Sequence, residues 1–535
     1  MRRQQVPQGS IPAGSRRRLA LRYLAFAVAA TVVAAVLRIA NLGVPEQDSF
    51  YHFRYASLYA EKGLFMSAFP WLPYSAFSRF PSDIGYGFHV FLLPFTYLRS
   101  HVLAIHLASV AETVIMMIML YGVLRRQRVA YPFAWPFVLL FSGPTVVWML
   151  FQTRPQTLTM GLSALLLSAL VAGGPLGAFL SALAIAFIHL NVIPIIPVVV
   201  GGVGIVKGIA ERRWEWRTWA AALAGIVAGW ALRPNPAGAA GLEWVQIAVH
   251  EAVRLQNVPI GFGDEWPPLP LGDCRLFIYL VALWIGVSAV FLTASAVSRH
   301  RASRRDLTFL WSSLVLSVVF FAGMVVVTQR TTLFWVTFAV MFIAKAFSCL
   351  LDPRAETEKP LLHKGSRAAI SAVIVLLFAA MLRTWTAESV IRGNVPSINP
   401  FRMSAVSLWL RDHGSPGKIV YNVSWDMFPE LFFWNPADRY VWGLDPIFLY
   451  DYDKTLYWKA HHLGTGEGTS RTWGTMGWPI GGGEDTYTVL RRDFKASAIV
   501  VDTDKGQSLY QYLASDSRYV LAIESEGYAV FTLAP

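Results

Sequence analysis

Apolar residues run through the first 385 positions in long blocks separated by short polar stretches. Blocks long enough to cross about 30 Å of hydrocarbon as a helix fall near 20–41, 101–123, 132–151, 157–173, 176–192, 193–210, 217–232, 273–297, 307–327, 332–351 and 368–385. The pattern predicts a polytopic α-helical membrane protein with about eleven transmembrane helices. Residues 86–98 (YGFHVFLLPFTYL) are apolar but too short to cross, and are expected to re-enter or lie on the surface. A polar, Arg-rich stretch precedes the first block, and no small-residue cleavage site follows it, so it reads as an uncleaved first span.

From 386 the pattern changes. Short runs such as KIVYNVS, RYVWGLD, ASAIVVDTD and YVLAIES alternate with SAVSLWLRD and QSLYQYLAS. Strand-sized runs between helix-sized ones predict an α/β domain of about 150 residues. The expected division is therefore a transmembrane domain over 1–385 and an extracytoplasmic α/β domain over 386–535.

Composition agrees with lipid burial: 55% of residues are hydrophobic, 15% are charged, and the mean hydropathy is +0.45. The formal charge of +13 does not point to nucleic acid, because the basic residues cluster between apolar spans and not on a soluble face with interleaved aromatics. Cys274 and Cys349 fall at or within apolar blocks and suggest neither a disulfide framework nor a thiolate metal site. Alternating the spans puts the N-terminus, LRRQRVAY, KGIAERRWEWR, SRHRASRRD and DPRAETEKPLLHKGSR on one side with 21 Lys and Arg, against 8 in the opposite short loops. The first set is expected to be cytoplasmic. Residues 41–100, 233–272, the turns QTRPQ and TQRTT, and everything after 385 then face outward.

The chemistry gathers in those outward segments. In PEQDSFYHFRYASLYAEKG (45–63), a helix starting after Pro45 places Asp48 and His52 four apart, with Tyr55 and Tyr59 on the same face. An acid, an imidazole and phenols on one stripe at the water boundary can accept a proton and hold hydroxyls or phosphate. Equally, Asp48 reads as a helix cap, with His52 and Arg54 snorkelling at the interface.

The order Asp48, aromatic, His52-x-Arg54 and a short helix ending at Gly63 resembles the first outer loop of the glycosyltransferase C (GT-C) superfamily. It is most similar to that of the catalytic subunits of oligosaccharyltransferases. Glu265 in GFGDEWPP, Arg330 in TQRTTLFW, and Trp425-Asp426 in NVSWDMF follow in a compatible order. The resemblance implies an inverting glycosyltransferase that moves a sugar or glycan from a polyprenyl phosphate or diphosphate carrier to a glycan, lipid or protein acceptor. It implies Asp48 as the catalytic carboxylate and Arg330 at the donor phosphate.

In that family the first-loop Asp, an acidic pair in the second outer loop and a later Glu hold a divalent cation, Mg or Mn. Here the second outer loop, FQTRPQ, carries Arg154 and no acid, leaving Asp48 and Glu265 as the ligands of any metal. Branches that work without a metal rely on one Asp, and Arg154 then adds positive charge at the donor phosphate. The family's doubled Trp followed by Asp is matched only by Trp425 and Asp426, which leaves the acceptor open. Asp83 and His89 could line the same outer cavity, or be interfacial polar residues; His189 reads as a functional contact or as a satisfied histidine within a span.

Two further classes fit a chain this apolar: a transporter or flippase of lipid-linked glycans, and a noncatalytic membrane scaffold. Transporters tend to place charges at mid-membrane depth in inverted repeats, whereas the charges here collect on one side. Abundant Ala, Arg and Trp favour a bacterial plasma membrane.

Overall fold

The computed structural model describes residues 13–39, 43–66, 68–212, 214–263, 265–297, 304–351, scattered positions between 372 and 383, and 397–534. The predicted span 368–385, the division at 386 and Asp264 lie at or among residues outside that set.

The chain is mostly helical up to 351. Its helices are α1 (Ala13–Ile39), α2 (Asp48–Lys62), α3 (Ala76–Arg79), α4 (Tyr86–Thr96), α5 (His101–Arg126), α6 (Trp135–Leu140), α7 (Pro144–Leu150), α8 (Pro155–Ala172) and α9 (Pro175–Ile188). They continue with α10 (Ile195–Glu211), α11 (Trp216–Ala231), α12 (Pro236–Trp244), α13 (His250–Leu255), α14 (Ile278–Val297), α15 (Arg304–Val326) and α16 (Thr332–Leu351). Among the described residues, seven segments are long and apolar enough to cross a membrane. They are Arg16–Ile39, His101–Arg126, Pro155–Ala172, Leu190–Glu211, Leu271–Thr293, Arg305–Val326 and Gln329–Cys349.

The predicted spans near 176–192 and 217–232 are helices of 14 and 16 residues, α9 and α11, packed against each other. That near 132–151 is broken into α6 and α7. Ser142-Gly143-Pro144 interrupts it: Pro144 removes a backbone donor and opens α7, and a Cβ on Gly143 would meet the Leu276 carbonyl at 2.9 Å. The short apolar stretch after 86 is the 11-residue α4, which packs on α2, α5 and α9.

Beyond 397 lies the α/β region. Its five-stranded sheet has the order β2-β1-β5-β7-β6, with β1 (Ile419–Asn422), β2 (Arg439–Tyr440), β5 (Ala496–Asp502), β6 (Tyr519–Ser525) and β7 (Tyr528–Leu533). β1 runs parallel to β2 and β5, and β7 is antiparallel to both β5 and β6. A small antiparallel ribbon pairs β3 (Arg471–Thr472) with β4 (Glu484–Asp485).

This region is not a separate bead. Tyr51, Tyr55, Phe69 and Trp71 share one buried cluster with Phe428, Phe432 and Tyr440. Backbone bonds reinforce the junction: Tyr440 N–H donates to Trp71 O at 2.7 Å, and Val44 and Ile398 exchange a pair at 2.9 and 2.7 Å. The tail therefore sits on the loop helix α2, over the end of the bundle that carries the candidate chemistry.

Candidate active site

α2 begins where it does because Glu46, not Asp48, caps it. Glu46 accepts from the backbone N–H of Asp48 at 2.8 Å and of Ser49 at 2.9 Å, satisfying two donors that the first turn leaves free. Asp48 is thereby released from the capping role and its side chain is free to face inward. Ser49 Oγ accepts from Thr153 N–H at 3.1 Å, which ties the start of α2 to the FQTRPQ loop and sets Arg154 beside Asp48.

From Arg154 a line of alternating charge crosses the site. Its guanidinium contacts Asp48, lies 3.2 Å from Glu46 and donates to Glu265 at 2.8 Å. Glu265 in turn accepts from Arg330 at 2.5 Å. Trp266 supports the far end, with Arg330 stacked 3.6 Å from its ring centroid on one side and His250 at 3.9 Å on the other.

All of these groups except the buried His250 open onto one cavity of about 820 Å³. Asp48, His52, Arg154, Glu265, Arg330, Trp425 and Asp426 line it, together with His189 at the end of α9, so eight of the residues singled out from sequence converge there. Asp83 and His89 do not reach it. They are buried one layer behind His52, which meets His89 at 2.8 Å, while His89 meets Asp83 at 2.6 Å. Arg54 is apart from the site and pairs with Glu61 at 3.1 Å, as its position two residues after His52 on a helix requires. Sequence reasoning passed over Glu46, Gln152, Asn191, Trp266, Asp445 and Lys505, which also line the cavity. Glu46 had a legible signal, since it stands just before the helix in the quoted motif; the tail residues Asp445 and Lys505 had none.

Electrostatics separate the acids. Burial alone would raise the Glu265 carboxyl, but the Arg154 and Arg330 guanidiniums outweigh it and hold the group down at about 2. Burial pushes Glu46 up to about 7, against the pull of Arg154 and with the added repulsion of Asp48. In the tail, burial lifts Asp445 to about 6 although the Ile447 N–H and Arg330 favour its charged form. Burial also holds His52 well below the usual imidazole range, aided by His89 and Arg154.

The donor set does not fit a divalent cation. Hard cations take several oxygens around an open centre, but Asp48, Glu46 and Glu265 all converge on the Arg154 guanidinium, which stands where such an ion would sit. No group of three or more His, Cys, Asp or Glu side chains suited to a metal occurs among the described residues.

No family model matches the chain, and no curated protein matches it in sequence. Solved structures do. The Archaeoglobus fulgidus oligosaccharyltransferase superposes with a TM-score of 0.58 at 12% identity, covering 90% of this chain and 70% of its own. ArnT from Cupriavidus metallidurans in the apo state gives 0.55 at 13%, covering 97% and 98%. The same ArnT bound to undecaprenyl phosphate gives 0.54 at 14%, covering 96% and 97%. The mycobacterial arabinofuranosyltransferase AftD gives 0.56 at 14%, covering 95% of this chain and 41% of that one.

The fold is that of the GT-C membrane glycosyltransferases. The GT-C architecture extends over nearly the whole chain, including the α/β tail, because the ArnT superposition covers both molecules almost completely.

Proposed function

We propose that this protein transfers a sugar or glycan from a polyprenyl phosphate or diphosphate carrier to an acceptor, with inversion at the anomeric carbon, on the extracytoplasmic side of a bacterial plasma membrane. The observation that carries the proposal is that Asp48 and the two guanidiniums of Arg154 and Arg330 open onto one cavity. ArnT, which shares the fold, is solved with undecaprenyl phosphate bound, which supports a donor of this class.

The geometry suits the reaction. Breaking a sugar–phosphate bond develops positive charge on the sugar and negative charge on the departing lipid phosphate. Arg154 and Arg330, held apart by Glu265, offer fixed forks to phosphate oxygens, which guanidinium geometry matches better than an ammonium. Asp48, 28% exposed to the cavity, faces the reacting carbon from the α2 side and stabilises its charge. Trp425 and Asp426 bring the tail, from 397 onward, over the acceptor side. Because Arg154 stands between the carboxylates, no step is assigned to a divalent cation.

The test is transfer in membranes from radiolabelled polyprenyl-phosphate sugars by wild type, Asp48→Asn and Arg330→Ala, with and without a chelator. The reading expects turnover by wild type that survives the chelator and falls by about 10²-fold or more in both variants. Full turnover in Asp48→Asn would remove the mechanism. Vectorial movement of the labelled lipid without transfer would favour a flippase instead.

A further inference from the structure

We infer that Asp83, His89 and His52 form a relay that presents an unprotonated His52 Nε2 to the cavity, making His52 the base that takes the proton of a hydroxyl-bearing acceptor. The inference rests on the transferase reading above and narrows its acceptor.

The direction of the relay follows from counting donors. Asp83 is buried and accepts the Gly85 N–H on Oδ1 at 2.8 Å, the Tyr59 hydroxyl on Oδ2 at 2.7 Å, and His89 Nδ1 on Oδ2 at 2.6 Å. A carboxylate only accepts, so His89 Nδ1 carries a proton, and with the ring neutral its Nε2 holds a lone pair. That lone pair lies 2.8 Å from His52 Nδ1, which must then be the donor. A neutral His52 protonated on Nδ1 keeps its lone pair on Nε2. Nε2 has no partner among the described residues and is not sealed off, and the ring lines the cavity.

The relay is rigid. Tyr55 stacks on His89 with centroids 4.6 Å apart, and a Cβ on Gly85 would come within 3.1 Å of the His89 ring. Packing α4 onto α2 needs no polar contact, and an apolar pair would avoid the desolvation cost of burying a carboxylate and an imidazole. A buried chain ending at a cavity wall is instead the arrangement that fixes a tautomer. Besides His89, the groups facing His52 are Arg154 at the start of α8, His189 at the end of α9 and the adjacent Tyr51. Asp48, one turn back on the same stripe of α2, is paired with Arg154, and burial keeps the His52 ring unprotonated near neutral pH.

In the reaction, the acceptor oxygen bonds to the anomeric carbon as the carbon–oxygen bond to phosphate breaks and its electron pair leaves with the phosphate. The acceptor's proton passes to His52 Nε2 and later to water in the cavity. A phosphate acceptor is already anionic and needs no such base, whereas a hydroxyl does. Asp48, in contact with Arg154, keeps the role of stabilising charge. His52 is thus the catalytic base, beside Asp48 as the charge-stabilising group, and His89 and Asp83 position it.

Two measurements on the full-length protein in nanodiscs test this. Nitrogen-15 spectra of histidine-labelled protein are expected to show protonated Nδ1 and bare Nε2 for His52, assigned by loss in His52→Gln. The opposite tautomer overturns the relay whether or not a substrate is known. For kinetics, Asp83→Asn lets an amide donate to His89 Nδ1, reversing the chain and placing a proton on His52 Nε2. The expected result is a kcat lower by about 10²- to 10⁴-fold with donor KM unchanged. Wild-type kcat in Asp83→Asn overturns the relay and leaves the transferase reading intact, while a wild type that transfers no sugar removes that reading and leaves the tautomer to decide. Should Asp83→Asn fail to fold, His52→Gln carries the kinetic arm, with loss of the acidic limb of the kcat profile expected and an unchanged limb contradicting the assignment.

Discussion

Arg330 lies over the face of Trp266, 3.6 Å from the ring centroid, and donates to Glu265 at 2.5 Å. Stack and ion pair hold the guanidinium plane in one orientation at the cavity wall. A lysine would keep the charge and lose both constraints. Arg330→Lys is therefore expected to lower kcat/KM for the polyprenyl donor by about 10- to 100-fold, the loss expected from one charge-assisted hydrogen bond and part of a cation–π contact. Steady-state kinetics with varied donor check it; wild-type kcat/KM in Arg330→Lys would contradict a phosphate fork.

Glu265 is the link between the two guanidiniums, and its depressed carboxyl gives a sign for pH. A group held at about 2 against an ordinary 4.5 contributes stability above about 4.5, which is lost as pH falls through 2. Glu265→Gln should accordingly melt below wild type at neutral pH in detergent, the gap narrowing as pH drops from 4.5 toward 2. A gap that stays constant over that range would mean the two arginines do not depend on this carboxylate.

How much of this was legible beforehand differs from layer to layer. The long spans were plain in hydropathy, because α5, α8 and α16 are each one helix long and apolar enough to cross despite Glu112 in α5 and Lys345 in α16. The break at Gly143-Pro144 was also written in the chain, but a window averaging apolarity passes over two residues. In the site, Asp48, Arg154, Glu265 and Arg330 could be chosen for their chemistry, yet not their pairing: the separation from Arg154 to Glu265 is set by how α8 meets the loop before α14. His52 and His89 come together only through the packing of α4 on α2. Helical phase alone could have removed Arg54, which points away from the Asp48–His52 stripe. Lys505 and Asp445 were beyond reach, since no local pattern tells which face of a tail domain will close over a cavity.

Glu46 gives the opposite pH sign from Glu265. Its carboxyl is pushed up to about 7 by burial, so the stability it contributes is fully present below its ordinary 4.5 and is lost as pH rises through 7. Glutamine keeps one of the two oxygens that accept the Asp48 and Ser49 N–H groups and carries no buried charge. Glu46→Gln is expected to melt slightly below wild type near pH 4.5 and above it at pH 8, with transfer activity retained. Melting below wild type at pH 8 would show that the charged pair with Arg154 outweighs desolvation.

Trp425 stands on the tail side of the cavity, where a Cβ on Gly263 would touch its ring at 3.7 Å, so the indole closes the space between the tail and the loop carrying Glu265. Donor phosphate is assigned to Arg154 and Arg330; the aromatic wall is left for the acceptor, where ring stacking on a sugar or apolar face adds about 0.5–1.5 kcal/mol beyond the area it buries. Trp425→Ala removes both terms and is expected to raise acceptor KM by about 10-fold or more, while donor affinity, read from polyprenyl-phosphate binding, stays at the wild-type value. Trp425→Phe, which keeps a stacking face, should recover most of the loss. An increase in donor Kd with acceptor KM unchanged would place the two substrates the other way round, with the lipid carrier entering beneath the tail.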